Sequence, residues 1–181
     1  MKMSAPLSAL AVLLALAPAG CKRGSPIRAG LQVDLTSAAE TLGKRISREI
    51  PSGPVLFMNA ELSEPLAGAM REGLERGLGG KRQLVVLGMA DLPPNFPMMT
   101  GAAALDEILR THPGMAAVVT AIGISDGGAA SVPETIPPLY ILNWQNPALY
   151  QKILKHPRCR GGMFYSPGTP ATTFVEVNGG T

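Results

Sequence analysis

The chain has little of what most reaction chemistries need. Among 181 residues there are two His, two Cys and one Trp, and aromatics make up only 4%. His112 and His156 sit in the similar stretches ILRTHP and ILKHP, each at the end of a helical pattern. The backbone dipole favours an imidazolium there, and the position leads into the amino end of the next strand. Ligands of open α/β sheets bind at the opposite, carboxyl edge, so neither His suits a metal or triad role. No Ser lies in a G-x-S-x-G context, which leaves a hydrolase unsupported. No G-x-G-x-x-G or Walker pattern follows a strand, so nothing points to a nucleotide, and no cofactor is indicated. Charged residues are 16% with a net charge of +3. The basic residues stand singly or in pairs, without the stripe that nucleic acid requires.

What the chain does have is aliphatic residues and loop formers. Hydrophobic residues are 46%, with 21 Gly and 17 Pro. This suffices for one core of Leu, Val, Ile, Met and Ala, and the length suits one domain. The longest apolar run outside the N-terminus is Met115–Ser125 (MAAVVTAIGIS), bounded by Pro113-Gly114 and Asp126-Gly127-Gly128. It has no polar face, as expected of a central parallel strand covered on both sides.

Other segments fall around it. Ser37 and Glu40 have capping-box spacing, and Leu35, Ala39, Leu42, Ile46 and Ile50 recur at helical period. Strands are expected at 54–59, 83–89, 139–143 and 162–166, with 173–177 as a possible edge strand. Helices are expected from Ser63 to Leu78, from Thr100 to His112, and from Asn146-Pro147 through Leu154; residues 126–138 read as a loop. The alternation predicts an α/β fold, a doubly wound three-layer αβα sandwich on a mostly parallel sheet of about five strands.

The N-terminus is distinct. Lys2 precedes the apolar stretch Leu7–Ala17, which is short of the roughly 20 residues that span a bilayer. Ala19-Gly20-Cys21 follows. Residues 1–21 resemble a bacterial lipoprotein signal peptide, with Pro18 in place of the usual Leu. That resemblance implies cleavage before Cys21, acylation of its thiol (diacylglycerol, palmitate) and a membrane anchor. Lys22-Arg23 in place of Asp implies, on the enterobacterial pattern, the periplasmic face of the outer membrane. Residues 22–33 read as a tether and 34–181 as the domain. With Cys21 acylated, Cys159 is a lone thiol expected to be buried; without the lipid the two could pair.

From Glu64 to about Thr169 the chain resembles one lobe of a type I periplasmic binding protein of the ABC-transporter class. The matching stretches are EPLAGAMREGLERGL, ALDEILRTHPGMAAVVTAIG, IPPLYILNWQNP and GGMFYSPG. The resemblance implies a non-catalytic domain that binds a small molecule, although such proteins close two lobes and this chain has length for one. The run Leu35–Leu87 also resembles envelope lipoproteins that dock on peptidoglycan-synthesis, flagellar or secretion assemblies through a protein surface.

Candidate site residues are those at the strand carboxyl ends: Asn59, Glu61, Asp91, Ser125, Asp126, Asn143, Trp144 and Ser166. Trp144, Asn143, Asp126, Asn59 and Asp91 are the expected ligand-binding set. Trp144 either stacks on a ligand or packs under a loop. Asp126-Gly127-Gly128 either presents amides to an anion or forms a turn. Glu61, Asp91 and Asp126 would serve a metal or acid–base chemistry only if three separate loops converged.

Overall fold

The computed structural model describes residues 26–59, 63–92, 101–122, 124, 126–143, 147–166 and 173–179. Residues 1–25 with Cys21, Glu61 in the first loop, the Pro-rich loop beyond Leu92, Thr100, Ser125 and Trp144 lie outside the described residues.

Six short strands form one sheet: β1 (Val55–Met58), β2 (Leu84–Leu87), β3 (Ala117–Thr120), β4 (Leu139–Asn143), β5 (Cys159–Ser166) and β6 (Thr173–Asn178). Their spatial order is β2-β1-β3-β4-β5-β6. β1 to β5 are parallel, and β6 runs antiparallel along β5. The Met115–Ser125 run does supply an inner strand, but its extended part is only Ala117–Thr120, with every residue buried. Thr120 ends it: Oγ1 accepts from the Ile122 N–H at 3.0 Å and donates to the Ile122 carbonyl at 3.1 Å. This local loop offers the backbone an alternative to the ladder.

Helices α1 (Pro26–Glu49) and α2 (Glu64–Leu78) cover one face. Leu35, Leu42, Ile46, Met70 and Leu74 meet Val55, Phe57, Val119, Tyr140 and Leu142 there. Helices α3 (Gly101–Thr111), α4 (Asp126–Ala129) and α5 (Gln151–Leu154) cover the other. Leu105, Ile108 and Ile153 meet Leu56, Met58, Val118 and Ile141 on that side. Each such aliphatic side chain contributes about 1.5–3 kcal/mol on burial. The fold is therefore α/β, three-layered and doubly wound, with six strands where about five were expected.

Three boundaries differ from expectation. α1 begins at Pro26 and not at Ser37, so residues 26–33, read as tether, are helical. The apolar stripe simply continues upstream through Leu35 and the partly buried Leu31. Gln32 Nε2 also donates to the Pro65 carbonyl at 3.1 Å, and Glu40 pairs with Lys44 at 2.6 Å instead of closing a capping box. Residues 126–129, read as loop, form the single turn α4. β5 begins at Cys159 because a bulge there absorbs the Arg160-Gly161 pair. Gly161 has φ +105°, and a Cβ at this position would meet the Val177 carbonyl at 2.0 Å.

α1 and α2 approach closely because both present small residues at the crossing. A Cβ on Gly77 would lie 2.3 Å from the Glu40 carbonyl and 2.8 Å from Gly43 Cα. Glycine here costs helix propensity but lets the two backbones meet.

Candidate functional site

The connections define the site before any side chain is considered. β1 leads through α2 to β2 on one side, and the chain then crosses back through α3 to β3 on the other. The strand order thus reverses between β1 and β3, and open α/β sheets bind ligands outside the carboxyl ends of the strands at such a point.

The buried polar side chains of the described residues gather at this edge. Asn59, Thr120 and Asn143 are 5%, 1% and 3% exposed, and they terminate β1, β3 and β4, three adjacent strands. Elsewhere along those strands the residues are apolar. Buried polar groups must be hydrogen-bonded, and main-chain and side-chain bonds of this row brace the edge. The Asn59 N–H donates to the Leu87 carbonyl at 2.8 Å, and the Ala121 N–H to the Met58 carbonyl at 2.9 Å. Asn143 Nδ2 donates to the Ala121 carbonyl at 3.3 Å. The amide of Asn143 thereby ties β4 to the residue after β3, which stands beside Asn59.

A cavity of about 450 Å³ opens beside this row, between the start of α2 and the end of β2. Asn59, Glu64, Gly68, Arg71, Met89 and Asp91 line it. Asp91 Oδ2 accepts the Gly88 N–H at 2.9 Å, which fixes the turn after β2. Ser63 occupies the cap of α2 through its carbonyl, which accepts from Leu66 and Ala67 at 2.9 Å; its side chain makes no cap hydrogen bond. A Cβ on Gly68 would meet nothing within 4 Å, so α2 leaves room on its cavity side. The lining offers two carboxylates, one guanidinium, one amide and one thioether. That set can accept and donate hydrogen bonds to a polyhydroxylated or zwitterionic molecule. Among the described residues it has neither a nucleophile paired with a base nor a cluster of metal ligands.

Of the expected residues, Asn59 and Asp91 share this cavity. Asn143 is buried two strands away on the same edge. Asp126 opens α4 at that edge too, and Ser166 ends β5. Trp144 and Glu61 fall outside the described residues, so the three-acid convergence involves only Asp91 as a located side chain. Among the described residues no group of three His, Cys, Asp or Glu is placed to hold a metal ion. The sequence reading missed Glu64, Arg71 and Thr120. The signal for the first two was present: Glu64, Gly68 and Arg71 lie on one helical face beside the apolar stripe. Both His residues sit at helix ends as expected, with His156 Nδ1 accepting the Arg158 N–H at 3.2 Å and Nε2 facing the Val132 carbonyl at 3.1 Å.

No protein-family model matches the sequence, and no curated protein matches it in sequence. Solved structures do match in fold. A glucose-galactose binding protein from Geobacillus stearothermophilus aligns with TM-score 0.58 at 13% identity, over 81% of this chain and 60% of that one. A periplasmic solute binding protein from Actinobacillus succinogenes with bound D-allose aligns with TM-score 0.56 at 11% identity, over 81% and 59%. A sugar transporter structure from Clostridium phytofermentans gives 0.54 at 13%, over 81% and 60%. The chain spans about 60% of the length of these structures. At such identities the likeness is one of architecture, and it places this chain's fold with the lobes of periplasmic binding proteins.

Proposed function

We propose that this chain is a non-catalytic, extracytoplasmic binding domain that takes a small polyhydroxylated molecule of the monosaccharide class at the carboxyl edge of its sheet. The observation that carries this reading is the row Asn59, Thr120 and Asn143, the buried polar side chains at the ends of three adjacent strands, beside the cavity of Glu64, Arg71 and Asp91. Carboxylate, amide and guanidinium groups hold vicinal hydroxyls by paired hydrogen bonds. The neighbours in fold are sugar-binding proteins, which supports the class of ligand. Asp126 and Trp144 complete the edge in this reading, with Trp144 stacking on the sugar face. Docking on an envelope assembly is less favoured. The large exposed apolar side chains among the described residues, Val33, Met89 and Val175, are scattered over α1, the turn after β2, and β6. They lie on three separate elements, whereas a docking face is a contiguous apolar patch.

The test is a thermal-shift and calorimetric screen of neutral hexoses and pentoses. The expected result is saturable binding that Arg71→Gln and Asn59→Ala weaken about tenfold or more. Binding unaffected by both variants, or no binding to any sugar, would refute it.

The same reading includes a signal peptide over residues 1–21, acylation of Cys21 and attachment to the envelope, facing the periplasm. Among the described residues no helix is long and apolar enough to cross a membrane. Intact mass of the mature chain in membrane and soluble fractions, wild type beside Cys21→Ser, decides this. A diacylglycerol-sized mass increase confined to wild type is expected; an unmodified chain in the soluble fraction would overturn the anchor.

A further inference from the structure

We propose that the cavity at the carboxyl edge faces the membrane that carries the anchor, and that the sugar it takes is the headgroup of a membrane lipid. This rests on the reading of Cys21 as the anchor and of the cavity as a sugar site. It adds where that site stands and what supplies its ligand.

The direction of α1 carries the inference. α1 leads into β1, so its last turn lies at the amino edge of the sheet. There Glu49 accepts from Tyr140, the second residue of β4, and Arg45 reaches the Arg160 carbonyl at the start of β5. The early turns of α1 lie at the opposite edge. Gln32 Nε2 donates to the carbonyl of Pro65, the residue after Glu64, and Glu64 lines the cavity. The chain therefore enters the domain beside the cavity.

Lengths decide which edge can approach the bilayer. Four residues, 22–25, separate Cys21 from Pro26. Five residue steps span at most about 18 Å, however extended. α1 has 24 residues, and a helix of that size is about 36 Å long. With the amino edge toward the bilayer, Pro26 would stand a helix length from it, about twice what the linker bridges. With the carboxyl edge toward it, the linker reaches with length to spare. Lys22 and Arg23 lie within this linker. Each is worth about 1 kcal/mol at an anionic surface, which draws the linker in.

The same geometry bears on the ligand. The cavity lies open between α2 and the turn after β2. Enclosed sites bury roughly 70–90% of a small ligand, and an open one holds a free sugar weakly. Confining site and ligand to one surface replaces affinity by an effective concentration on the order of millimolar. A hexose carried on a lipid meets that condition, and a freely diffusing one does not.

The experiment couples the mature chain through its Cys21 thiol to maleimide lipid in phosphatidylcholine vesicles; Cys159 is buried and does not compete. Ala90→p-azidophenylalanine, in the turn after β2, and Ser52→p-azidophenylalanine, between α1 and β1, each carry a dye at an exposed position. Nitroxide-headgroup lipids in the vesicles quench it. Quenching at position 90 is expected to be at least about twofold stronger than at position 52. Equal quenching, or stronger quenching at position 52, overturns the proposal. Monohexosyl diacylglycerol in the same vesicles, at an effective ten times its dissociation constant, should raise the melting midpoint of the coupled chain by about 4 °C. Arg71→Gln should remove most of that rise. No rise while free hexose binds in solution overturns the lipid headgroup and leaves the sugar reading standing. No binding of either refutes both. An unmodified Cys21 in cells overturns the anchor and this proposal together, and it shows in the intact mass and not in these readouts.

Discussion

The phenol of Tyr140 donates a 2.7 Å hydrogen bond to Glu49 Oε2, tying β4 to the last turn of α1. Arg45 completes the junction. Its Nε pairs with Glu49 Oε1 at 2.6 Å, its Nη1 with Glu176 Oε1 at 2.9 Å, and its Nη2 reaches the Arg160 carbonyl at the β5 bulge at 2.6 Å. One guanidinium thus joins α1, β5 and β6, and the phenol adds β4. Tyr140→Phe keeps the ring in the core and deletes only the donor. It is expected to cost about 1–2 kcal/mol, since the bond lost is to a charged acceptor that Arg45 still partly satisfies. Urea unfolding of Tyr140→Phe, Glu49→Gln and the double variant measures this. The two costs should be less than additive, because Glu49→Gln takes the charge from the acceptor of the bond that Tyr140→Phe removes.

The same junction sets a pH dependence at both ends of the scale. Burial works to raise the Glu49 carboxyl, but the hydrogen bonds from Arg45 and Tyr140 and the charge of Arg45 outweigh it and leave it below its ordinary 4.5. A depressed carboxyl contributes stability above its unfolded pKa and loses it as pH falls through the folded one. For Tyr140, burial first, then the bond to Glu49 and its charge, raise the phenol above its ordinary 10.0. A raised group contributes fully below the unfolded value, and its contribution fades as pH climbs past it. Denaturant midpoints measured from pH 3 to 11 should fall below about pH 4.5 and again above about pH 10. Glu49→Gln should flatten the acid limb, and Tyr140→Phe the alkaline one.

The glycines of α2 make opposite predictions for the same substitution. At Gly77 an added methyl meets backbone of α1 on two sides, so Gly77→Ala should cost about 2 kcal/mol even after gaining helix propensity. At Gly68 the space is open, so Gly68→Ala should stabilise by up to about 1 kcal/mol. Gly68 lines the carboxyl-edge cavity, however, and the methyl narrows it. Thermal melts and sugar titration on the two variants separate these effects: Gly68→Ala should melt higher and bind more weakly.

Much of this fold was legible because its signals are local. The apolar run around Val118 and Val119, the stripes Leu42–Ile46 and Met70–Leu74, and the paired His-Pro helix ends each reflect a periodicity or a breaker that needs no tertiary information. The boundaries that differ depend on contacts the sequence does not display. The early turns of α1 pack on α2 through Leu31 and Leu35, and Gln32 reaches Pro65, far along the chain. The start of β5 rests on a bulge whose extra residue, Arg160, gives its carbonyl to Arg45. Arg160-Gly161 alone looks like a turn. The site divides in the same way. Strand ends named Asn59 and Asn143 directly, whereas Arg71 and Glu64 enter only because α2 starts beside the turn that Asp91 holds.

Cys159 gives a kinetic view of the core. It begins β5 and is 1% exposed, packed with Leu139, Leu154 and Phe164. Burial raises its thiol, outweighing the backbone hydrogen bond from Gly161. Both effects oppose reaction, because the thiolate is the nucleophile and must meet the reagent. In a Cys21→Ser chain, an aromatic disulfide reagent should therefore label Cys159 only through opening of the sheet, slowly in buffer and at once in denaturant. When opening and closing are fast relative to labelling, the rate follows the equilibrium population of the open form. If that opening is global, Tyr140→Phe should speed labelling by the factor that its loss of stability dictates, about tenfold for each 1.4 kcal/mol. Cys159→Ser places a hydroxyl in the same apolar wall and should cost about 1–3 kcal/mol. Rapid labelling of the native chain would mean that the start of β5 opens on its own, and that the bulge at Gly161 is a weak point in the sheet.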